Sequence, residues 1–445
     1  MALARKPNER LAALLDEARW SNEDLARHVR RVGAEMGERF NYDSSGVTHW
    51  KRDGTMPRKA ARVAIAEAFS RRLGRPVTLA DVGMGPDSGT AVEADTVSGL
   101  VDLGSADMDP SRRGVLGAGL YSAALAVPGW PDAGARFDRV ITNPHVRIGH
   151  NDVAAVRAMT EHISDLDDQF GGRMARPLAA AFMVNTIAPY LKATAPDGVK
   201  EAMLSAASDH LYLTGYMAMD ERADGLAQRY YVKALELAGA AGDHLTYCTT
   251  LRGMSVQAVD LGHGSQAVRL ASSASAAAPE AGPRMRAFLA GQQAHAAAQT
   301  GDRSGALLWI KEAEVAMERA ESQAKAFGSY DPSSLAYHVG QVRYELGDVA
   351  GSVESLELAD RLREPVYRRT RVRYNAMLAE RLLMVGRLEE AALRWHAVLD
   401  DYPHVQSGRC DDRFRVMMSS LRPYLRNGQA RELHDRARPM APVAA

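Results

Sequence analysis

The stretch SLAYHVGQVRYELGDVAGSVESLELAD, Ser334–Asp360, decides the fold of most of this chain. One helical run leads into a Leu-Gly-Asp turn, and a second run starts at once. Ser352, Leu356 and Ala359 stand five, nine and twelve residues beyond Gly347. Steps of four and three put them on one helical face, where small residues let a neighbouring helix come close.

The pattern recurs on both sides. The turns LGHGS, TGDRS, LGDVA, VGRLE and NGQAR carry Gly262, Gly301, Gly347, Gly386 and Gly428, at spacings of 39, 46, 39 and 42 residues. The matching triplets are Ala267, Ala271, Ala274; Ala306, Ile310, Ala313; Ala391, Trp395, Val398; and Leu433, Ala437, Met440. Ala227, Tyr231, Ala234 fit one unit earlier, without the glycine. The unit is helix, tight turn, helix. It resembles a tetratricopeptide-type solenoid with a concave inner face, although the repeat exceeds the usual period of about 34 residues.

Composition points the same way. Only 6% of residues are aromatic, and Ala and Leu abound, which favours helices over sheets. The expected fold is all-α, an N-terminal helix-turn-helix domain followed by an α-solenoid of tetratricopeptide-like helix pairs. Four segments are expected: a head at 1–81, an acidic flexible linker at 82–110, a connecting helix and loop at 111–140, and the solenoid at 141–445. The linker reading rests on GPDSGTAVEADTVSGLVDLGSADMDPS, which has no Lys or Arg and little apolar surface. SRRGVLGAGLYSAALAVPGW, Ser111–Trp130, looks like a twin-arginine export signal, but it lies behind a whole domain and its apolar run is too short to span a bilayer. It reads as a buried connecting helix, and no membrane partner is expected. Two cysteines, Cys248 and Cys410, suit a reducing cytoplasm.

The zero net charge hides an asymmetry. Residues 1–76 hold 16 Lys/Arg and 10 Asp/Glu, and the excess of acids lies in the rest. A basic head on an acidic body suits a nucleic-acid module joined to a module that does not bind nucleic acid. NERLAALLDEA, Asn8–Ala18, is amphipathic, and Ser21 with Asp24 forms a variant capping box for a second helix. In YDSSGVTHWKRDGTMPR, Tyr42–Arg58, Asp43 or Ser44 can cap a third helix that Val47 and Trp50 anchor to the core. Ser44, Ser45, Thr48, His49, Lys51 and Arg52 then face outward as candidates for base edges and phosphates in a major groove. Arg27, Arg30, Arg31, Arg58 and Lys59 are the candidate phosphate contacts. The bland reading is a solvated polar face.

A ligand site is sought on the first helix of a pair, PVYRRTRVRYNAMLAERLL. Arg368, Arg371 and Asn375 stand at i, i+3 and i+7 and can hold a peptide backbone or a carboxylate, with Tyr337 or Tyr344 adding apolar contact. An exposed basic stripe without a ligand is the alternative. The histidines are scattered without HExxH, CxxC or other ligand spacing, so no metal, cofactor or catalytic site is expected. In DLDDQFGGRMAR the paired glycines read as a turn between helices.

EDLARHVRRVG, YDSSGVTHWKRDGTMPR and LGRPVTLADVGM resemble the Cro/cI-like (XRE) helix-turn-helix class in its actinobacterial form. One departure is the run GAEMGERFNYD in place of the usual short turn. ISDLDDQFGGRMARPLAAAF and TGYMAMDERADGLAQRYYVKALELAGAAGDHLT resemble the sensor half of actinobacterial helix-turn-helix/tetratricopeptide regulators. The resemblance implies a DNA-binding transcription regulator, a homodimer on double-stranded DNA, whose repeat domain senses a peptide, small molecule or partner protein. The alternative is an interaction scaffold whose head does not bind DNA.

Overall fold

The computed structural model describes residues 7–35, 38–73, 77–85, 95–109, 121–122, 125, 127–135, 137, 143–278, 281–320, 330–363 and 367–442. The described residues are all-α apart from a two-stranded parallel sheet of Asn143–Arg147 (β1) and Ala193–Thr194 (β2). It divides into two compact units, one holding residues 1–95, 109–128 and 223–226, the other the remainder.

The first unit contains α1 (Glu9–Ala18), α2 (Asn22–Glu35), α3 (Ser44–Arg52) and α4 (Lys59–Leu73). Each start has a local cause. The Asn8 side chain accepts from Leu11 N at 3.0 Å. Ser21 and Asp24 cap reciprocally, each backbone N–H donating to the other's side chain at 3.0 and 3.1 Å. Asp43, not Ser44, caps α3 through Gly46 N at 2.9 Å. Leu11, Leu14, Leu25, Val29, Val47, Ile65 and Phe69 form one buried core. The run between α2 and α3 contributes to it through Phe40, and Tyr42 meets Trp50 edge to face at 4.8 Å.

Two expected boundaries shift. The core continues past residue 81 through fully buried Val82 and Met84, and Asn8 Nδ2 donates to Val82 O at 2.9 Å. The expected linker also holds a helix, α5 (Thr96–Met108), in the second unit. Its acids and glycines suggested disorder, yet Val97, Leu100 and Leu103 recur at a spacing of three and are buried. Gly104 lets the helix lie against Met183 and Val184, and Asp107 is paired with Arg176. Residues 86–94 lie outside the described residues. So do residues 111–120 of the expected connecting helix, while Trp130–Ala135 (α6) forms a short helix.

The second unit continues with α7 (His150–Phe170), α8 (Gly172–Phe182), α9 (Ala188–Leu191), α10 (Asp197–Asp220) and α11 (Asp224–Ala241), whose residues 224–226 group with the first unit. Then come α12 (His244–Asp260), α13 (Gly264–Ala276), α14 (Pro283–Gln299), α15 (Arg303–Glu318) and α16 (Pro332–Glu345). The last are α17 (Val349–Leu362), α18 (Arg368–Met384), α19 (Leu388–Asp401), α20 (Gly408–Leu421) and α21 (Gly428–Ala437). The pairs α12/α13, α14/α15, α16/α17 and α18/α19 pack most extensively. Their turns are made by Gly262, Gly301, Gly347 and Gly386 at φ of 76°, 80°, 88° and 80°, a region open to glycine at little steric cost. Gly428 instead opens α21 behind an Asn427 cap. The triplet residues in these second helices are buried, except that Met440 is half-buried.

The array closes on itself. Helix α7 packs on α18, Gln406 N donates to Phe170 O at 2.7 Å, and Ser407 Oγ donates to Asp220 Oδ1 at 2.9 Å. First helices from both ends of this unit therefore surround one interior space. No described helix is long and apolar enough to cross a membrane.

Candidate functional site

In the first unit, Val47 is fully buried and Trp50 is 4% exposed. That orientation turns Ser44, Ser45, His49 and Arg52 outward on α3, with Thr48 and Lys51 half-buried. Thr48 is partly used within the fold, since its Oγ1 donates to Ser44 O at 2.8 Å and accepts from Asn22 Nδ2 at 2.9 Å. His49 meets Asp53 at 2.7 Å.

The flanking cations divide into two groups. Arg27 is ion-paired with Asp24, while Arg30 donates to Tyr42 O and reaches Glu23 at 3.2 Å. Arg31, Arg52, Arg58 and Lys59 are exposed and form no ion pair among the described residues.

The second unit encloses a cavity of about 190 Å³ lined by α7, α10, α12, α14, α16, α18 and α20. A neighbouring cavity of about 270 Å³ shares Val259, Asp260, His295, Arg373 and Arg409 with it. Of the expected ligand residues, only Tyr337 lines this space, stacked on Tyr374 at 4.2 Å.

The other four point elsewhere. Arg368 and Arg371 pair with Asp401 at 3.4 and 3.0 Å. Asn375 Nδ2 donates to Asp360 Oδ1 at 3.3 Å, towards the second helices. Tyr344 stacks beneath Arg381, whose Cζ lies 4.3 Å from the ring centre. The residues that face the interior stand one position on, about 100° around α18. Val372 and Ala376 anchor that helix, and the neighbours Arg369 and Arg373 face the interior.

Charge dominates the lining, with five arginines against three aspartates around the first cavity. Arg369 Nη2 lies 3.0 Å from both Asp167 Oδ2 and Asp168 Oδ1. Burial works against its charge, but Asp167, Tyr216, Asp220 and Asp168 outweigh that and hold its pKa well above the ordinary value. Burial raises the Asp167 carboxyl against the pull of Arg369, with Asp220 and Asp168 adding to the rise. Burial also opposes the charge of Asp260, yet Arg409, Arg373, Arg222 and Arg413 hold it below the usual carboxylate range. Burial pulls His295 down to about 4 and His338 well below its ordinary value, so both rings are neutral near pH 7.

Sequence reasoning passed over Arg252, Arg369, Arg373 and Arg409. A usable signal was present for Arg252 alone: a charged residue inside the apolar run LRGMSV has no solvated face to occupy.

A family model, the SP15 N-terminal domain, matches residues 11–85. The match runs from Leu11, the first core leucine, to one residue past Met84, and so coincides with the core of the first unit. No curated protein matches the chain.

Proposed function

We propose that the chain is a DNA-binding transcription regulator: a helix-turn-helix head of the XRE type on a tetratricopeptide-like solenoid that dimerises and senses an effector. The burial of Val47 and Trp50 carries this reading, because it leaves a capped helix with small hydroxyls, an imidazole and a guanidinium on its free face. Such side chains suit base edges and phosphates in a major groove. Arg31, Arg52, Arg58 and Lys59 are the preferred phosphate contacts, and Arg27 and Arg30 drop in rank because carboxylates already hold them. Two heads in a homodimer would read two half-sites. The family match supports treating residues 11–85 as a discrete module.

The test is recovery of genomic DNA fragments by the full chain at several salt concentrations. Selective binding with a steep negative salt slope is expected, and Arg52→Ala should weaken it. Binding without sequence preference, or an Arg52→Ala variant that holds its preferred site as tightly as the parent, removes the assignment and favours a scaffold.

A further inference from the structure

Three guanidiniums of the central cavity lie against aromatic faces. Arg252 Cζ sits 3.9 Å from the ring centre of Phe288, Arg363 4.4 Å from that of Tyr374, and Arg369 5.1 Å from that of Tyr216. Stacking occupies the flat face of a guanidinium and leaves its in-plane N–H groups to find oxygens. Here several find none. Arg252 Nε, Arg363 Nε, Arg369 Nε and Nη1 and Arg409 Nη1 are shielded from solvent without a hydrogen-bond acceptor among the described residues. On the acid side of the lining, only Asp167 Oδ1 is in the same position.

Arg373 is more telling. It is 9% exposed, lines both cavities, and has no hydrogen bond, ion pair or stacking partner among the described residues. A buried cation without a partner lowers stability, so a chain that keeps one gains something else from it.

We infer that this interior space is a binding site for a small oxyanion, a phosphomonoester or a polycarboxylate, held by Arg373 and Arg409 together with the ring-backed edges of Arg252 and Arg369. Planar forks matched to two oxygens are the geometry that carboxylate and phosphate accept. The size agrees: at about 10–15 Å³ per water, the first cavity has room for about 13 to 19 waters, which suits a metabolite rather than a protein segment. The regulatory consequence rests on the proposed function, with the oxyanion as its effector; the binding itself does not.

The experiment is calorimetric titration of the full chain, without DNA, with inorganic phosphate, citrate and adenosine monophosphate, against chloride at matched ionic strength. At least one of the three should bind with one site per chain. Arg373→Met should lower its affinity by about tenfold or more, and Arg373→Lys, which keeps the charge and loses the fork, should fall between. Arg371→Ala, on the other face of the same helix, should bind as the parent does.

The melting temperature without ligand separates a binding role from a structural one. Arg373→Met should melt close to the parent, because Arg373 makes no hydrogen bond or ion pair among the described residues and Arg409 still holds Asp260. The inference fails if none of the three probes binds above the chloride control, if Arg373→Met binds within twofold of the parent, or if that variant melts lower while Arg373→Lys binds normally. Selective DNA binding would survive each of these failures, and loss of DNA binding in Arg52→Ala would leave the oxyanion result intact.

Discussion

The guanidinium of Arg176 and the carboxylate of Asp107 meet where the two residues are 2% and 1% exposed. Tyr230 OH donates to Asp107 Oδ2 at 2.8 Å, and Arg176 Nε donates to Glu221 Oε1 at 2.7 Å. Helix α5 is thereby fixed to α8 and α11 by a network that tolerates no half-removal. Asp107→Ala should destabilise the second unit by about 3 kcal/mol, the low end for a broken buried pair because Glu221 remains. Replacing both partners, Asp107→Leu with Arg176→Met, should not recover that loss, because Glu221 then loses both of its hydrogen bonds to Arg176. Denaturant unfolding of the three proteins measures both effects. A single variant within about 0.5 kcal/mol of the parent would mean that α5 is not anchored by this pair.

The head offers a contrast between anchor and surface. Trp50→Ala empties a site packed by Tyr42 and the α3–α4 core and should cost about 3–5 kcal/mol. Arg52→Ala, exposed and two residues on, should change stability by no more than about 0.5 kcal/mol while weakening selective DNA binding. Amide hydrogen exchange across residues 9–73 reads the first effect and fragment binding the second. Equal destabilisation by the two changes would show that the face assignment of α3 is inverted.

Stability should depend on pH through His210. Burial pulls its imidazole down to about 4 from 6.5, only partly opposed by the hydrogen bond between Nε2 and Ala179 O at 2.9 Å. The folded pKa lies below the unfolded one, so the neutral ring contributes stability that is complete above about pH 6.5 and is lost as the pH falls towards 4. That gap corresponds to about 3 kcal/mol. Asp209, which burial raises to about 7, acts with the opposite sign, its contribution falling as the pH rises from about 4 to 7. The difference between the parent and His210→Gln therefore isolates the ring. Urea midpoints at pH 7 and pH 4.5 should show the variant losing less on acidification, and parallel losses would place the titration elsewhere.

Periodic burial was legible in the sequence; buried charge was not. Ala306, Ile310 and Ala313 announce a packed face because small and apolar residues repeat at steps of four and three, and all three are buried. Val47 and Trp50 are legible for the same reason. The interior of the second unit was hidden because its lining is polar. Arg369 and Arg373 carry no apolar periodicity of their own, and only the meeting of both ends of the helical array places them inside. That closure depends on contacts between residues far apart in the chain, such as Arg369 with Asp168 and Arg409 with Asp260, which no local pattern encodes. The helix at Thr96–Met108 was missed for a related reason, since Asp107 counts as a solubilising acid until Arg176 is placed beside it.

The closure has a critical point at Gly171. Its φ is 89° between α7 and α8, and a Cβ placed there would lie 2.4 Å from Gln406 O and 2.8 Å from Gln406 C. Both obstacles are backbone atoms, so no side chain can swing aside. The same junction is tied by Gln406 N donating to Phe170 O at 2.7 Å and Arg173 N donating to Gln406 O at 3.1 Å. Gly171→Ala therefore combines a backbone conformation open essentially to glycine alone, φ 89° and ψ 163°, with a clash, and should cost more than the roughly 1 kcal/mol of ordinary left-handed strain. A loss of about 2–4 kcal/mol is expected, with faster hydrogen exchange at both Phe170 and Gln406. Gly198→Ala is the matched control, since a Cβ there meets nothing within 4 Å. Because α7 also packs on α18, Gly171→Ala should also weaken any oxyanion held by the α18 arginines. A stable Gly171→Ala protein with unchanged exchange at Gln406 would show that the two ends of the array are not held together at this point.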